Sequence, residues 1–298
     1  MEITVDTLTT PWEGVLAEPV GGSAVGVLVL AGSSGRIETH RCDLLARAGM
    51  AALSLRWFGG AGQPGGICEV PLETFTKAID LLQAKGADRI GVLGASKGAE
   101  AALLLAAGDP RIDAVVALSP TSLVWGNLGP GLDGKSHPYR SCWTWRGEPV
   151  PFVPYDDDWA PTEPAGEPVA YAPLYERSRR TFPEDARQAV IPIERSAAEL
   201  LLVAGGDDEM WPSAAFAREL ASRRSAAGRT SHVVSTPDAG HRPRLPGEGP
   251  PPPSGRFRYG GTPQADAALG AKAWPHIVSV LTGRDASAVP PPEQADRH

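Results

Sequence analysis

An α/β fold is predicted, with a mostly parallel central sheet, helices on both faces and a long cap-like insertion. Three observations point there. Short apolar runs that stop at glycine, such as "AVGVLVLAG" (24–32) and "ELLLVAG" (199–205), read as strands buried on both faces. Segments with helical apolar spacing follow such runs at regular intervals, which is how parallel strands are joined. Between 121 and 192 this alternation stops, and prolines with Trp125, Tyr139, Trp143, Trp145, Tyr155 and Trp159 take its place.

Taken in order, residues 2–18 read as one or two edge strands turning at Thr10-Pro11, before the central run 24–32. "IETHRCDLLARAG" carries Ile37, Leu44, Leu45 and Ala48 at helical spacing and stops at Gly49. "MAALSLRWF" is a second buried strand. "PLETFTKAIDLLQAKG" places Leu72, Phe75, Ile79 and Leu82 on one helical side, with Gly86 as its stop. "RIGVLG", "KGAEAALLLAAG" and "IDAVVALSP" continue as strand, helix and strand. The insertion follows, and its aromatic content favours an ordered cap over a linker. Beyond it, "ELLLVAG", "WPSAAFARELASRR", "SHVVSTP" and "TPQADAALGAKAWPHIVSVLTG" resume the alternation, with "GEGPPPPSG" as a surface excursion. The chain is expected to be a single domain over 1–298, with 121–192 as the cap and 284–298 as a disordered tail.

Composition narrows the function. A net charge of −7 with no run of lysines and arginines argues against a nucleic-acid partner. Cys42, Cys68 and Cys142 are far apart with no CxxC pair, so neither a disulfide framework nor a cysteine metal site is expected. The start "MEITVDTLTTPWEG" has no secretory pattern, and the longest apolar run is too short for a bilayer. A cytoplasmic protein that spans no membrane and needs no metal or organic cofactor is the expectation.

The chemistry centres on "RIGVLGASKGAEAALLLAAG". Gly94-Ala95-Ser96-Lys97-Gly98 sits where a strand ends and a helix opens, the setting of a nucleophile elbow. There the nucleophile's backbone is strained, and side chains two residues to either side would clash, so Gly94 and Gly98 suit those positions. A serine hydroxyl needs a base, itself oriented by an acid. In elbow-type enzymes the chain order is serine, acid, histidine. His40 precedes the serine, His137 lies in the insertion, His232 and His276 fall inside predicted elements, and His298 is the terminus. That leaves His241, in the loop "TPDAGHRP". "LLLVAGGDDEMW" offers Asp207 and Asp208 as the acid; Asp208 is preferred, with its neighbour suited to brace the loop. Two backbone N–H groups are needed for the oxyanion. Lys97 supplies one, its side chain needing only to face away, and Ser33 or Ser34 in "AGSSGR" the other. Arg36, Arg242 and Arg244 fall near the expected mouth, as candidates for phosphate contacts or as plain surface charge.

These stretches, with "IPIERSAAELLLVAGGDDEMWPS" and "YGGTPQADAALGAKAWPHIVSVL", resemble the carboxy-terminal catalytic domain of the acyl-CoA thioesterase and bile acid-CoA:amino acid N-acyltransferase family. A more distant similarity is to dienelactone hydrolases. The resemblance runs from about Ala24 to Leu281. It implies an α/β-hydrolase fold, an acyl-enzyme, a small-molecule acyl thioester or ester as substrate, and Ser96, Asp208 and His241 as the triad. It also implies hydrolysis where the nucleophile is serine. Acyl transfer to an amine or alcohol, or ester and lactone hydrolysis, are the alternatives. A bulky acyl group under a tryptophan-rich cap is a further expectation.

Overall fold

The alternation of side chains along each strand decides the architecture. In a computed structural model that describes residues 1–284, strands β1 (Ile3–Leu8), β2 (Gly14–Pro19) and β3 (Val25–Leu30) precede helix α1 (Thr39–Arg47). Then come β4 (Ala51–Leu55), the short β5 (Val70–Pro71), α2 (Glu73–Ala84), β6 (Arg89–Ala95), α3 (Lys97–Gly108) and β7 (Ala114–Leu118). The 121–192 segment holds β8 (Trp143–Trp145), β9 (Glu148–Pro149), α4 (Ala172–Thr181) and α5 (Pro183–Gln188). After it follow β10 (Glu199–Gly205), α6 (Ser213–Ala226), β11 (His232–Thr236) and α7 (Pro263–Thr282).

Eight strands form one sheet in the order β1-β2-β4-β3-β6-β7-β10-β11. The pairings from β4 to β11 are parallel, and β1 and β2 add antiparallel pairings at one edge. Residues two apart share a face. Leu28, Leu30, Val92, Val115 and Leu202 therefore meet Phe75, Ile79 and Leu82 of α2 and the apolar sides of α3 and α6. Val27, Val29, Leu93, Val116 and Val203 meet Leu45 of α1 and Leu269, Trp274, Ile277 and Leu281 of α7. Two cores result, one on each face, as the continuous apolar runs predict.

Two local expectations become specific. β2 is buried along most of its length and lies between β1 and β4, so β1 alone is the edge in that region. The insertion, which shows little periodicity, is ordered by long-range contacts: β5 pairs with β8 and β8 with β9. Its Trp125 and Trp143 are fully buried and join the α2/α3/α6 core. They fill space between elements. Residues 285–298, most of the expected tail, lie outside the described residues. No helix among the described residues is long and apolar enough to cross a membrane.

Candidate active site

Parallel sheets gather functional loops beyond the carboxyl ends of their strands, most sharply where the strand order reverses. Here the reversal lies between β3 and β6, and Ser96 follows β6 directly. Its backbone is held at φ 55° and ψ −119°, a conformation that L residues rarely adopt. Three hydrogen bonds pin it there. Ser96 N–H donates to Leu118 C=O at 2.9 Å, and its own carbonyl accepts from the Ala99 and Glu100 N–H groups at 2.9 and 3.1 Å. The flanking glycines are required sterically. A Cβ at Gly94 would stand 2.1 Å from the Gly98 carbonyl oxygen, and one at Gly98 2.4 Å from the Leu30 and Ala31 oxygens.

The loops after β10 and β11 complete a hydrogen-bonded chain. Ser96 Oγ lies 2.9 Å from His241 Nε2, and His241 Nδ1 lies 2.8 and 3.0 Å from the two Asp208 oxygens. A carboxylate only accepts, so Nδ1 carries the proton and Nε2 is free to accept from the serine hydroxyl. The His241 and Asp208 side chains are 6% and 1% exposed, which removes most competing water. Asp208 Oδ1 also accepts from Met210 N–H (2.9 Å) and Trp211 N–H (3.2 Å), which fixes its carboxylate plane. Asp207 points elsewhere and accepts from Gly261 N–H at 2.8 Å, bracing the glycine-rich segment before α7.

Of the expected oxyanion groups, Lys97 N–H opens α3 beside Ser96. Ser33 and Ser34 are exposed on the loop after β3. The neighbouring Gly32 lies against Ser96, its pro-Cβ position 3.1 Å from Ser96 Cβ. The Lys97 side chain does more than face away. It is 1% exposed, and its ammonium donates to Glu100 Oε2 at 2.9 Å and to Cys142 Sγ at 3.3 Å. Glu100, fully buried, accepts from Trp143 Nε1 at 2.9 Å and from Trp125 N–H at 3.3 Å. Burial opposes the Lys97 charge, but Cys142 and Glu100 outweigh it and hold the lysine above its ordinary pKa. Burial pushes the Cys142 thiol up to about 12, so it stays protonated and donates to Gly126 C=O at 3.1 Å. The first turn after Ser96 is thereby bolted to the 121–192 segment.

Sequence reading passed over several residues that shape this site. Ser119, at φ 49°, donates its hydroxyl to His241 C=O at 2.8 Å, and its carbonyl accepts from Trp211 Nε1 at 3.1 Å. Asp266, in the first turn of α7, accepts from Gly240 N–H at 2.7 Å, one residue before the histidine. Nothing in their local sequence marks Ser119 or Asp266. Glu100 did carry a sign: Lys97 and Glu100 are the only charges on the otherwise apolar α3. Among the described residues, no group of three or more His, Cys, Asp or Glu side chains is placed to hold a metal ion.

Residues 70–283 match the family described as BAAT / Acyl-CoA thioester hydrolase C terminal. The curated acyl-coenzyme A thioesterase 6 of Mus musculus is 29% identical over 271 residues, covering 87% of this chain and 59% of the relative. Acyl-coenzyme A thioesterase 1 of Homo sapiens is 27% identical over 228 residues, covering 75% and 50%. The chain therefore spans between half and three fifths of the length of these relatives. Among solved structures, a putative dienelactone hydrolase from Klebsiella pneumoniae superimposes with a TM-score of 0.56 at 14% identity, covering 95% of this chain and 99% of that one. A dienelactone hydrolase-like promiscuous phosphotriesterase from metagenomic libraries gives 0.52 at 15%, covering 94% and 98%. These structural likenesses establish the α/β-hydrolase fold.

Proposed function

We propose a function from one premise: the chain belongs to the BAAT / acyl-CoA thioester hydrolase C-terminal family, whose pattern it matches over residues 70–283. The function is hydrolysis of an acyl thioester through an acyl-enzyme on Ser96. The observation that carries it is the hydrogen-bonded chain from Ser96 through His241 to Asp208, starting from a serine in a strained turn. The thioesterase names of the curated relatives support the substrate class.

In the first half-reaction His241 Nε2 takes the Ser96 proton as Oγ attacks the thioester carbonyl carbon. Asp208 stabilises the imidazolium that forms. The carbonyl π pair moves onto oxygen, which accepts from Lys97 N–H and from the N–H of Ser33 or Ser34, with the positive end of α3 behind it. Collapse of the tetrahedral intermediate breaks the C–S bond, and His241 returns the proton to the departing thiolate. Water, deprotonated by the same histidine, then attacks the acyl-Ser96 ester. Its proton passes through His241 to Ser96 Oγ, and the carboxylic acid leaves.

The proposed hydrolase is one domain that includes 121–192, a reading supported by the merging of Trp125 and Trp143 into the α2/α3/α6 core. A cytoplasmic setting is supported by three cysteines that are all free and buried. Ser96→Ala tests the function. Hydrolysis of an acyl-CoA panel, followed by thiol release, is expected to fall by about 10⁴-fold or more, with unchanged circular dichroism and urea midpoint. A fluorophosphonate probe is expected to label the wild type and not the variant. A variant that keeps thioester turnover removes Ser96 from the mechanism.

A further inference from the structure

Turnover needs two loops at a fixed separation. The turn after β3 carries Ser33 and Ser34, from which the second oxyanion donor is expected, and the loop after β11 carries His241. A displacement of about 1 Å between groups that act together costs roughly 10²-fold in rate. The turn itself is tight: Gly35 N–H donates to Gly32 C=O at 3.3 Å, with Ser33 and Ser34 between. A Cβ at Gly35 would stand 2.8 Å from Phe58 Cζ, so the turn also lies against the loop after β4.

A run of charges outside the triad joins the two loops. Just past the turn, the buried Glu38 donates its backbone N–H to Ser54 Oγ of β4 at 3.0 Å. Its carboxylate accepts from Arg36 Nε at 2.8 Å and lies 3.9 Å from Arg41 Nε. Arg41, on α1, has a side chain only 7% exposed. Its Nε donates to Glu248 Oε1 at 2.7 Å and its Nη2 to Oε2 at 3.2 Å, across 207 residues of chain. Glu248 Oε2 also accepts from Leu245 N–H at 2.8 Å, in the stretch that follows His241. Arg244 ties that stretch to the start of α7, donating to Glu248 C=O at 3.1 Å and to Pro263 C=O. Arg242 stays outside this run, its guanidinium 3.3 Å from the Tyr259 ring centroid.

A buried ion pair adds little net stability, because desolvation offsets its attraction. A two-pronged guanidinium–carboxylate contact does fix the orientation of both groups. We propose that Arg41 and Glu248 are positioning residues: their pair, steadied by Glu38 and Leu245 N–H, holds the turn of Ser33 and Ser34 at its working distance from His241. The proposal rests on the acyl-enzyme reading above. The polar contacts of the pair reach neither Ser96 nor the imidazole, so both residues act through the loops they join.

The test separates positioning from plain support. Arg41→Met with Glu248→Gln removes both charges, so no lone charge is stranded, and keeps an oxygen for Leu245 N–H. Two inhibitors matched to one acyl thioester serve as probes. In a trifluoromethyl ketone, Ser96 Oγ adds to the carbonyl carbon, its proton passes to His241 Nε2, and the π pair becomes the oxyanion. A thioether with a methylene in place of the carbonyl forms no such adduct. The double variant is expected to lose about 10–100-fold in kcat with KM within about twofold of wild type, as a displaced oxyanion donor does. Affinity for the ketone falls by the same factor, and affinity for the thioether does not change. Arg41→Lys keeps the charge but not the fork, so its kcat is expected to lie between the two. It carries the comparison alone should the double variant fail to fold. Variants with a lowered urea midpoint but wild-type kcat and ketone-to-thioether ratio overturn the positioning role and leave the acyl-enzyme reading intact. So does an equal loss of affinity for both inhibitors. A wild type that the ketone does not inhibit overturns both.

Discussion

The sheet frame and the 121–192 segment both contribute buried side chains, but they do so by different means. The frame packs aliphatic side chains at the period of its secondary structure, as the two cores either side of β3 and β6 show. The segment packs aromatics and satisfies their polar atoms individually. Trp125 Nε1 donates to Thr121 Oγ1 at 2.9 Å, Trp143 Nε1 to Glu100, and Tyr155 Oη to Gly126 C=O at 3.2 Å. The first kind of burial is redundant, since many similar aliphatic contacts share the load. The second is singular: each polar group left without its partner costs its whole desolvation. The candidate triad hangs on frame loops, and the segment reaches them at more than one point: Cys142, Trp125 and Trp143 contact the buried Lys97–Glu100 pair of α3, and Ala172 N–H donates to Glu209 C=O at 2.9 Å. That division can be broken at both ends.

If the frame loops alone set the chemistry, two adjacent aspartates in one of them should differ sharply. Asp208→Asn leaves His241 Nδ1 facing an amide and disfavours the tautomer that lets Nε2 accept the serine proton. A loss of about 10⁴-fold in kcat is expected, with little change in stability. Asp207→Asn removes only half of an acceptor for Gly261 N–H, and its amide oxygen still serves there. Less than about tenfold is expected, because the hydrogen bond survives. Steady-state kinetics on one thioester decides this, and equal losses would mean that the loop acts as a unit.

The junction between frame and segment comes next in size. Lys97 and Glu100 are 1% and 0% exposed, so removing one partner strands the other charge in the core. Lys97→Met is expected to cost about 3–5 kcal/mol of unfolding free energy, whereas Lys97→Met with Glu100→Gln recovers most of it, since neutral replacement of a buried pair is tolerated. Urea denaturation of the two variants measures this. A double variant no more stable than the single one would show that the pair is needed as an ion pair, not merely as a filled and neutral volume.

What the sequence revealed follows the same division. Strands and helices of the frame are legible because burial on a regular element imposes a period of two or 3.6, and Leu28/Leu30 against Val27/Val29 obeys it. Ser96 and His241 were legible from chain order and from the glycines that the turn requires. Asp208 needed a preference that only the Asp207–Gly261 contact makes concrete. The segment was legible as composition alone, because Glu100, which accepts from Trp143 Nε1 and from the Trp125 backbone N–H, sits on α3, far away in sequence. Lys97 illustrates the limit. Its position after the nucleophile pointed to a backbone role, while burial of its ammonium depends on Glu100 and Cys142 meeting in space.

The smallest effect is expected at Asp266, a frame residue with the singular polar burial otherwise typical of the segment. Burial raises its pKa above the ordinary aspartate range. Gly240 N–H and Arg244 oppose that, Asp208 adds to it, and His241 opposes it. An acid whose folded pKa is raised binds its proton more readily in the folded state. Its favourable contribution is therefore complete below the unfolded pKa and is lost as pH rises through the folded one. Asp266→Asn keeps an oxygen for Gly240 N–H and removes the charge. The variant should have a higher urea midpoint than the wild type at a pH above the raised value, where the wild type carries an ionised Asp266. That margin should shrink on acidification through the window between the raised and the ordinary value, as the wild type gains stability by taking up its proton. Carboxylates remote from Asp266 titrate alike in both proteins and cancel in the difference. A margin that stays constant through the window, or widens, would place the Asp266 charge among well-compensated groups and return the residue to the ordinary behaviour of the frame.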